Sequence, residues 1–500
     1  MIHNCGVAKV PQPTSLVRPF RVSWPLLLGL AGFLFPICIR WGLGDPDTYW
    51  HVAAGGWMLE HRAVPTHDPF SFTMPGAAWT AHEWLSELLL AVGYQISGWS
   101  GLVFLTAACF GVTLALLSRF LLARMEPLHA LQLTCLAGLM MFTALLARPH
   151  VLVWPLTAVW VAELIDSSEA HRPPSWWLLA VILPWANMHA SFIVGLGLMV
   201  LIAIDSIIRA EQSRWETAKR WAPFVLAAFA CVLINPQGYR LLLFPFHLLG
   251  MTTALGLIAE WRPPDFAHPQ LLSPWLFVVL GLAFAGRLRL SLIRSILLIG
   301  LLSMAMAHAR NIALLGLISP YLLALPIATA WKQQPPAGRN ADFIDRCFHR
   351  LATRASLPAV FLTLFIGGGA AVATLATTRP HPADATTPRE ALATLLSRAP
   401  HARIFNDYAF GGYLIFRGIP VFVDGRADMY GDAFIGQIFD DMVLAPGSDL
   451  ESLMGKFRID AILLNADRPA VKLLDRMPAW ERVYADKMAV AYIRRSGPGS

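Results

Sequence analysis

The sequence predicts an α-helical polytopic membrane protein of about 11 spans, with a long first outer loop and a C-terminal soluble α/β domain. Three observations predict it. Of 500 residues, 56% are hydrophobic and 14% charged, with mean hydropathy +0.54, more apolar sequence than a soluble core can use. Apolar runs near the length a bilayer requires recur along the chain. When they are threaded through a membrane, nearly all the polar motifs between them fall on one face.

The expected spans are residues 24–41, 99–121, 129–147, 149–165, 176–188, 191–208, 221–234, 272–286, 293–308, 312–330 and 357–376. The stretch 176–208 also reads as one long tilted span, and 221–234 is short. The loops then assigned to the cytoplasm are Arg119–Arg124, Asp166–Arg172, Arg209–Arg220, Arg287–Arg294 and Lys332–Arg354. Most are rich in Lys and Arg, which accumulate on the inner side of bacterial-type membranes. The net charge of +7 has the same origin, so no nucleic-acid partner is expected. Lys9, Arg18 and Arg21 precede the first apolar run, which has no small-residue cleavage pattern and reads as an uncleaved span with a cytoplasmic start. The six cysteines are scattered, without CxxC spacing, and support neither a disulfide framework nor a cysteine metal site. No internal repeat is present.

The two domains are residues 1–378, with the outer loop at 42–98, and 379–500. In the second, β-like segments (402–405, 420–424, 459–464, 481–486, 489–494) alternate with helix-like ones (388–398, 432–444, 448–456, 467–475), the order of a small α/β unit. Topology places this tail outside, on the face that carries the motifs.

The motifs on that face carry the chemistry. Asp47 and His51 are four apart and share one side of a helix starting near Thr48, which suits a carboxylate base or metal ligand beside an imidazole. Asp47 is equally a favoured helix N-cap, with Asp45 as a second carboxylate nearby. Thr80-Ala-His-Glu83 has capping-box spacing, and His82 and Glu83 also add an imidazole and an acid. Trp50, Trp57, Trp79 and Trp84 read chiefly as interfacial anchors. Arg148, Arg262 and Arg310, with His150, His189 and His308, stand at span ends, where a lipid-linked phosphate is the natural anion for them and headgroup snorkelling the alternative. Asn311 closes the His308-Ala-Arg-Asn311 motif. Asn235-Pro-Gln-Gly238 and Arg262-Pro-Pro-Asp265 are turn chemistry, with Glu260 and Asp265 as secondary carboxylates. In the tail, Asn406-Asp-Tyr-Ala-Phe-Gly-Gly-Tyr413 and Asp424-Gly-Arg-Ala-Asp428 stand at strand ends, with Arg426 and Asp428 as a candidate pair.

A short first span, a long outer loop opening on an Asp motif, many further spans and an outer α/β tail together resemble the GT-C superfamily of membrane glycosyltransferases. The chain is also similar to a group of bacterial membrane proteins sharing Asp-x-x-Trp-His, Asp68-Pro-Phe-Ser-Phe-Thr73, His82-Glu-Trp84, Asn406-Asp-Tyr408, Gly411-Gly-Tyr413 and Asp424-Gly-Arg426. The GT-C resemblance implies a polyprenyl-phosphate-linked sugar as donor and an acidic residue of the first outer loop as base or metal ligand. That residue would be Asp47, with Asp45 as the second choice. With His51, His82 and Glu83, read from the motifs as positioning substrate or a divalent cation, Asp47 forms the candidate catalytic set. Asp45, Arg148, His150, His189, Arg262, Arg310 and Asn311 form the substrate-binding set. A divalent cation is the one cofactor implied, with Asp47 and Glu83 as its candidate ligands. The second acidic motif of some GT-C members is not evident unless Glu260 or Asp265 supplies it. The expected function is sugar transfer at the extracytoplasmic face of a bacterial inner membrane. Its rival is a transporter or flippase for a lipid-linked or anionic solute, or an envelope assembly scaffold. The rival is disfavoured because no repeat is seen and the polar groups gather at one face rather than at mid-depth.

Overall fold

An apolar segment in a bilayer must satisfy its own backbone groups, and a helix does so within one segment. In the computed structural model, which describes residues 20–211, 213–330 and 343–495, each expected span is helical. The chain begins with α1 (Trp24–Cys38), then the outer-loop helices α2 (Asp47–His61) and α3 (Trp84–Ser97). Next come α4 (Trp99–Leu122), α5 (Pro127–Phe142), the single turn α6 (Pro149–Leu152), α7 (Trp154–Glu169), α8 (Leu179–Met188), α9 (Phe192–Ile208) and α10 (Arg214–Val232). Two short helices, α11 (Arg240–Leu249) and α12 (Thr252–Leu257), precede α13 (Leu272–Phe284), α14 (Leu292–Ala307), α15 (Asn311–Ala330), α16 (Phe343–Leu351) and α17 (Leu357–Thr378). Three of these, α4, α15 and α17, are long and apolar enough to cross a membrane by themselves. The stretch 176–208 is two helices rather than one, because His189 adopts an extended backbone between them. Lys9, Arg18, Cys5 and residues 332–342 of the basic Lys332–Arg354 loop lie outside the described residues.

At the end of α4 remote from the outer loop, a charge network joins four helices. Arg124 pairs with Asp166 and Glu169, Arg294 lies 3.5 Å from both Glu169 and Asp205, and Arg209 lies 2.9 Å from Asp205. The basic loops Arg119–Arg124, Asp166–Arg172, Arg209–Arg220 and Arg287–Arg294 therefore share one end. It lies roughly 36 Å from the other end of α4 at 1.5 Å per residue.

The tail continues with α18 (Arg389–Arg398), β1 (Ile404–Asn406), α19 (Gly411–Phe416), α20 (Ala427–Tyr430), α21 (Asp432–Val443), α22 (Leu450–Lys456), β2 (Ala461–Asn465), α23 (Pro469–Leu474), β3 (Trp480–Ala485) and β4 (Ala489–Arg494). The sheet order is β1-β2-β4-β3, with β1 parallel to β2 (Ile404 opposite Ala461) and β4 antiparallel to both neighbours. The parallel pair accounts for the long helical crossover between β1 and β2. Segment 420–424, expected as a strand, is not one. Its Val421 bridges instead to Ser71 of the outer loop, so the edge it would have given the tail is used to join the two parts.

That junction is apolar and extensive. Trp50, Trp79, Phe410, Tyr413 and Leu414 form one buried cluster between the outer loop and the tail. Met251, just before α12, and Ala254 and Leu255 of α12 join the core around Phe422, Ile435 and Ile438. The Asp432 carboxylate accepts the Ala254 N–H at 2.6 Å, capping α12 from the tail. Trp50 and Trp79, expected as interfacial anchors, are therefore core residues beneath the tail, 6% and 4% exposed.

Candidate active site

The motifs expected on the outer face meet through hydrogen bonds to one another. Ala147 N–H donates to the Gly42 carbonyl, the Trp84 indole to Asn187 Oδ1 at 2.8 Å, and Asn187 Nδ2 to the Ile234 carbonyl. Arg310 N–H donates to the Glu260 carbonyl and Ala309 N–H to that of Arg262. Loops scattered over the sequence are thus tied to one another.

At its centre stands Arg148, held where the chain enters α6. Its Nη2 donates to Asp47 Oδ2 at 2.5 Å, and its Nη1 to Glu260 Oε2 at 2.7 Å and Asp45 Oδ2 at 3.3 Å. Glu260 also accepts from Arg310 at 3.0 Å, and the Arg310 guanidinium stacks 4.4 Å from the Trp261 ring centre. These side chains are largely shielded, being 12–30% exposed. Asp47 is the first residue of its helix rather than its cap. Asp45 Oδ1 accepts the Asp47 N–H at 2.7 Å, which frees the Asp47 carboxylate for Arg148.

Burial pushes the Asp47 carboxyl up to about 7 against the pull of Arg148, with Asp45 and Glu260 adding repulsion. Asp45 is raised for the same reason. Glu260 goes the other way: burial is outweighed by Arg148 and Arg310, which hold it at about 2. One carboxylate of this group is therefore firmly ionised while another is poised near neutrality.

A second cluster adjoins the first. Gly55 lets α3 approach α2 so closely that a Cβ there would fall on the Glu87 backbone and within 2.7 Å of Ala91. Glu87 thereby reaches His51, one turn before Gly55, at 3.4 Å. Glu83 caps nothing. The helix starts at Trp84, and the Glu83 carboxylate turns to His189 Nε2 at 3.5 Å and His82 Nε2 at 3.7 Å, so the expected capping box is absent. Because His189 Nδ1 accepts the Ser191 N–H at 3.1 Å, its Nε2 carries the proton offered to Glu83. His150 turns its Nε2 to the Ala144 carbonyl at 2.7 Å, with its ring 6.1 Å from that of His189. Burial raises the Glu83 carboxyl to about 7, offset in part by Arg148 and Arg310.

A cation needs free ligand atoms. Asp45, Asp47 and Glu260 direct theirs to Arg148, so Asp47 does not stand beside Glu83 as a ligand. His51, Glu83 and Glu87 do offer a set, with one ligand atom each and all within 4.8 Å of one another. Glu87 Oε2 is buried without a hydrogen-bond partner. Two carboxylates and an imidazole suit a divalent transition metal.

Other expected residues lie elsewhere. Arg262 is exposed and donates to the Gly256 and Leu257 carbonyls rather than joining the Arg148 cluster. Asn311 Nδ2 holds the Met304 carbonyl, and His308 Nδ1 donates to that of Trp261, so both shape the turn that presents Arg310. Asp265 is exposed and pairs with His268. Asn235 makes the turn its sequence implied, accepting Gln237 N–H and donating to the Val232 and Gly238 carbonyls.

The tail roofs the site. Gly425 packs against the Asp47 carboxylate, where a Cβ would also come within 2.9 Å of Trp50 Nε1, and Gly412 packs on Pro46. Tyr408 donates to the Gly425 carbonyl at 3.3 Å, and Asp428 interacts with His82. Arg426 pairs with Asp424 at 2.7 Å and Asp68 at 2.8 Å rather than with Asp428, all three side chains being fully shielded. The sequence singled out Asp68 only within a shared string, Asp424 and Arg426 also in a strand-end motif that paired Arg426 with Asp428, and Glu87 not at all. Its one signal was an acid four residues after Glu83 in an otherwise apolar helix.

No family model matches the chain, and no curated protein matches it. Among solved structures it is similar to the oligosaccharyltransferase AglB of Archaeoglobus fulgidus. In the apo form the TM-score is 0.52 at 12% identity, over 88% of this chain and 69% of that one. In the complex with an inhibitory peptide and a dolichol-phosphate it is 0.51 at 10% identity over the same shares. ArnT of Cupriavidus metallidurans bound to undecaprenyl phosphate aligns over 93% of this chain and 97% of that one, at 13% identity and TM-score 0.49. The chain thus has the GT-C fold of these structures.

Proposed function

We propose that the chain is a membrane glycosyltransferase that moves a sugar from a polyprenyl-phosphate donor to an acceptor hydroxyl at the extracytoplasmic face. In this reading the eleven helical segments at the expected positions cross the membrane, with the N-terminus cytoplasmic and the tail outside. The observation that carries it is Asp47, a shielded carboxylate poised near 7 and oriented by Arg148 in a chain with a GT-C fold. That AglB was solved with a dolichol-phosphate supports a lipid phosphate as the leaving group.

The acceptor oxygen attacks the anomeric carbon from the side opposite the phosphate and gives its proton to Asp47. The bond from that carbon to the phosphate oxygen breaks, and its electron pair leaves with the polyprenyl phosphate. Arg148, with both terminal nitrogens engaged, orients the base. Arg310, bound to Glu260 through one nitrogen, meets the charge that develops on the phosphate. His51, Glu83 and Glu87 would hold a divalent cation, which when bound adds Lewis-acid charge to the site.

The test is mass spectrometry of lipid-linked sugars and surface glycans in a deletion strain complemented with the wild type or with Asp47→Asn. An accumulated donor or an unmodified acceptor, restored by the wild type alone, is expected. Unchanged profiles on deletion would remove the reading.

A further inference from the structure

The last span packs along one narrow seam. Of α17, only Ala359, Gly367, Ala371 and Leu375 are buried, and Gly367 rests on Leu30 of α1. Toward its C-terminal end α17 stands away from the α3–α4 pair, leaving a groove of about 730 Å³. Leu89, Val92 and Ile96 of α3, Phe104 of α4, and Val372 and Ala376 of α17 line it. Its floor is bare because α3 and α4 cross at Gly93 and Gly101, where a Cβ on Gly101 would fall on the Gly93 backbone. Ile96 and Val372 are 79% and 60% exposed, a large apolar surface left open.

Depth and charge identify the occupant. The groove lies between the first residues of α4 and the last of α17, two helices long and apolar enough to span. It therefore opens to the acyl region of a single leaflet. At its mouth stands Arg379, at the end of α17, with an exposed side chain. Among the described residues no carboxylate lies within ion-pair distance of its guanidinium, so the charge is available to an anion. An apolar slot closed at one end by an unpaired guanidinium matches a lipid tail with a phosphate at its head.

The groove is separate from the site at Asp47. Trp99, which lines it, packs edge-on to Tyr49 with ring centres 5.2 Å apart. Tyr49 lies about 200° around α2 from Asp47 at 3.6 residues per turn. The helix thus shows one face to each site.

We propose that an anionic phospholipid of the outer leaflet binds here, with one acyl chain between α17 and the α3–α4 pair and its phosphate on Arg379. This lipid completes the packing of the last span and is not the sugar donor.

The test is native mass spectrometry of the full chain, reconstituted with equal phosphatidylglycerol and phosphatidylcholine and then stripped by detergent exchange. The wild type is expected to retain one phosphatidylglycerol. Val372→Trp, which fills the groove from an exposed position, is expected to lose it. Arg379→Gln is expected to lower retention at least fivefold and to abolish the preference over phosphatidylcholine. Size-exclusion profiles check that both variants stay folded. Equal retention of the two lipids by the wild type, or retention unchanged in both variants, overturns the proposal. So does recovery of a polyprenyl phosphate in place of the phospholipid, or of a second copy of the chain.

Discussion

The Arg426 guanidinium lies 2.8 Å from the Asp68 carboxylate, 358 residues earlier in the chain, and neither side chain is accessible to solvent. Asp424 and the Tyr430 hydroxyl complete the cluster, and the rings of Phe70 and Trp79 lie 5.0 and 4.8 Å from the guanidinium carbon. Desolvated charges hold only while each has its partner, so this cluster fixes the tail over the first outer loop. It also fixes Gly425, the residue between Asp424 and Arg426, against Asp47.

Arg426→Gln leaves Asp68 and Asp424 buried without a cation and is expected to cost about 3–5 kcal/mol of stability. Gly425→Ala should keep the fold and lose sugar transfer, because its Cβ displaces the Asp47 carboxylate. Thermal unfolding and an activity assay on the two variants check this. An active Gly425→Ala enzyme would detach the tail from the chemistry.

Asp47→Asn is expected to reduce transfer by about 10²-fold or more, the usual worth of a positioned base. Folding raises this carboxyl from 3.8 to about 7, so between those values the native chain keeps a proton that the unfolded chain has lost. Stability then falls as pH rises through that window and is flat above it. At pH 8 the Asn variant should be at least as stable as the wild type, which melting curves at pH 5 and 8 will show.

The pH–rate profile should rise with an apparent midpoint near 7. Asp45, beside Asp47 and likewise raised, repels it, so the limb belongs to the Asp45–Asp47 pair rather than to Asp47 alone. Arg148→Gln removes the cation that pulls Asp47 down and should move the limb to higher pH. An unmoved limb would show that Arg148 does not set the base.

Arg310→Gln should weaken binding of undecaprenyl phosphate about tenfold, the scale of one lost hydrogen bond to a charged group. Titration of purified protein measures it. Arg262→Gln, outside the site, should bind as the wild type does.

If His51, Glu83 and Glu87 hold a cation, elemental analysis of the purified chain should find one divalent ion per molecule, and Glu87→Gln or His51→Ala should release it. Equal metal content in wild type and variants would exclude the set.

Much of this protein is legible in its sequence. Helical segments, tail elements and the gathering of Arg148, His189, Glu260 and Arg310 with Asp47 follow from hydropathy and loop order, because a bilayer leaves a chain few ways to satisfy its backbone. The capping box at Thr80–Glu83 misled because the same acid answers two local descriptions, and only the neighbouring His189 decides between them. Arg262 misled because span-end arginines look alike until their carbonyl partners are known.

What only the tertiary structure decided is which groups pair. That Arg148 takes three carboxylates, that Glu87 joins His51, and that Asp68 meets Arg426 depend on helix approach and on the tail folding back, across separations that no local pattern encodes. The sequence determined by itself where the helical segments fall and which polar motifs lie between them. The strength of an ionic contact falls with distance and grows with the exclusion of water, and both are properties of the assembled fold.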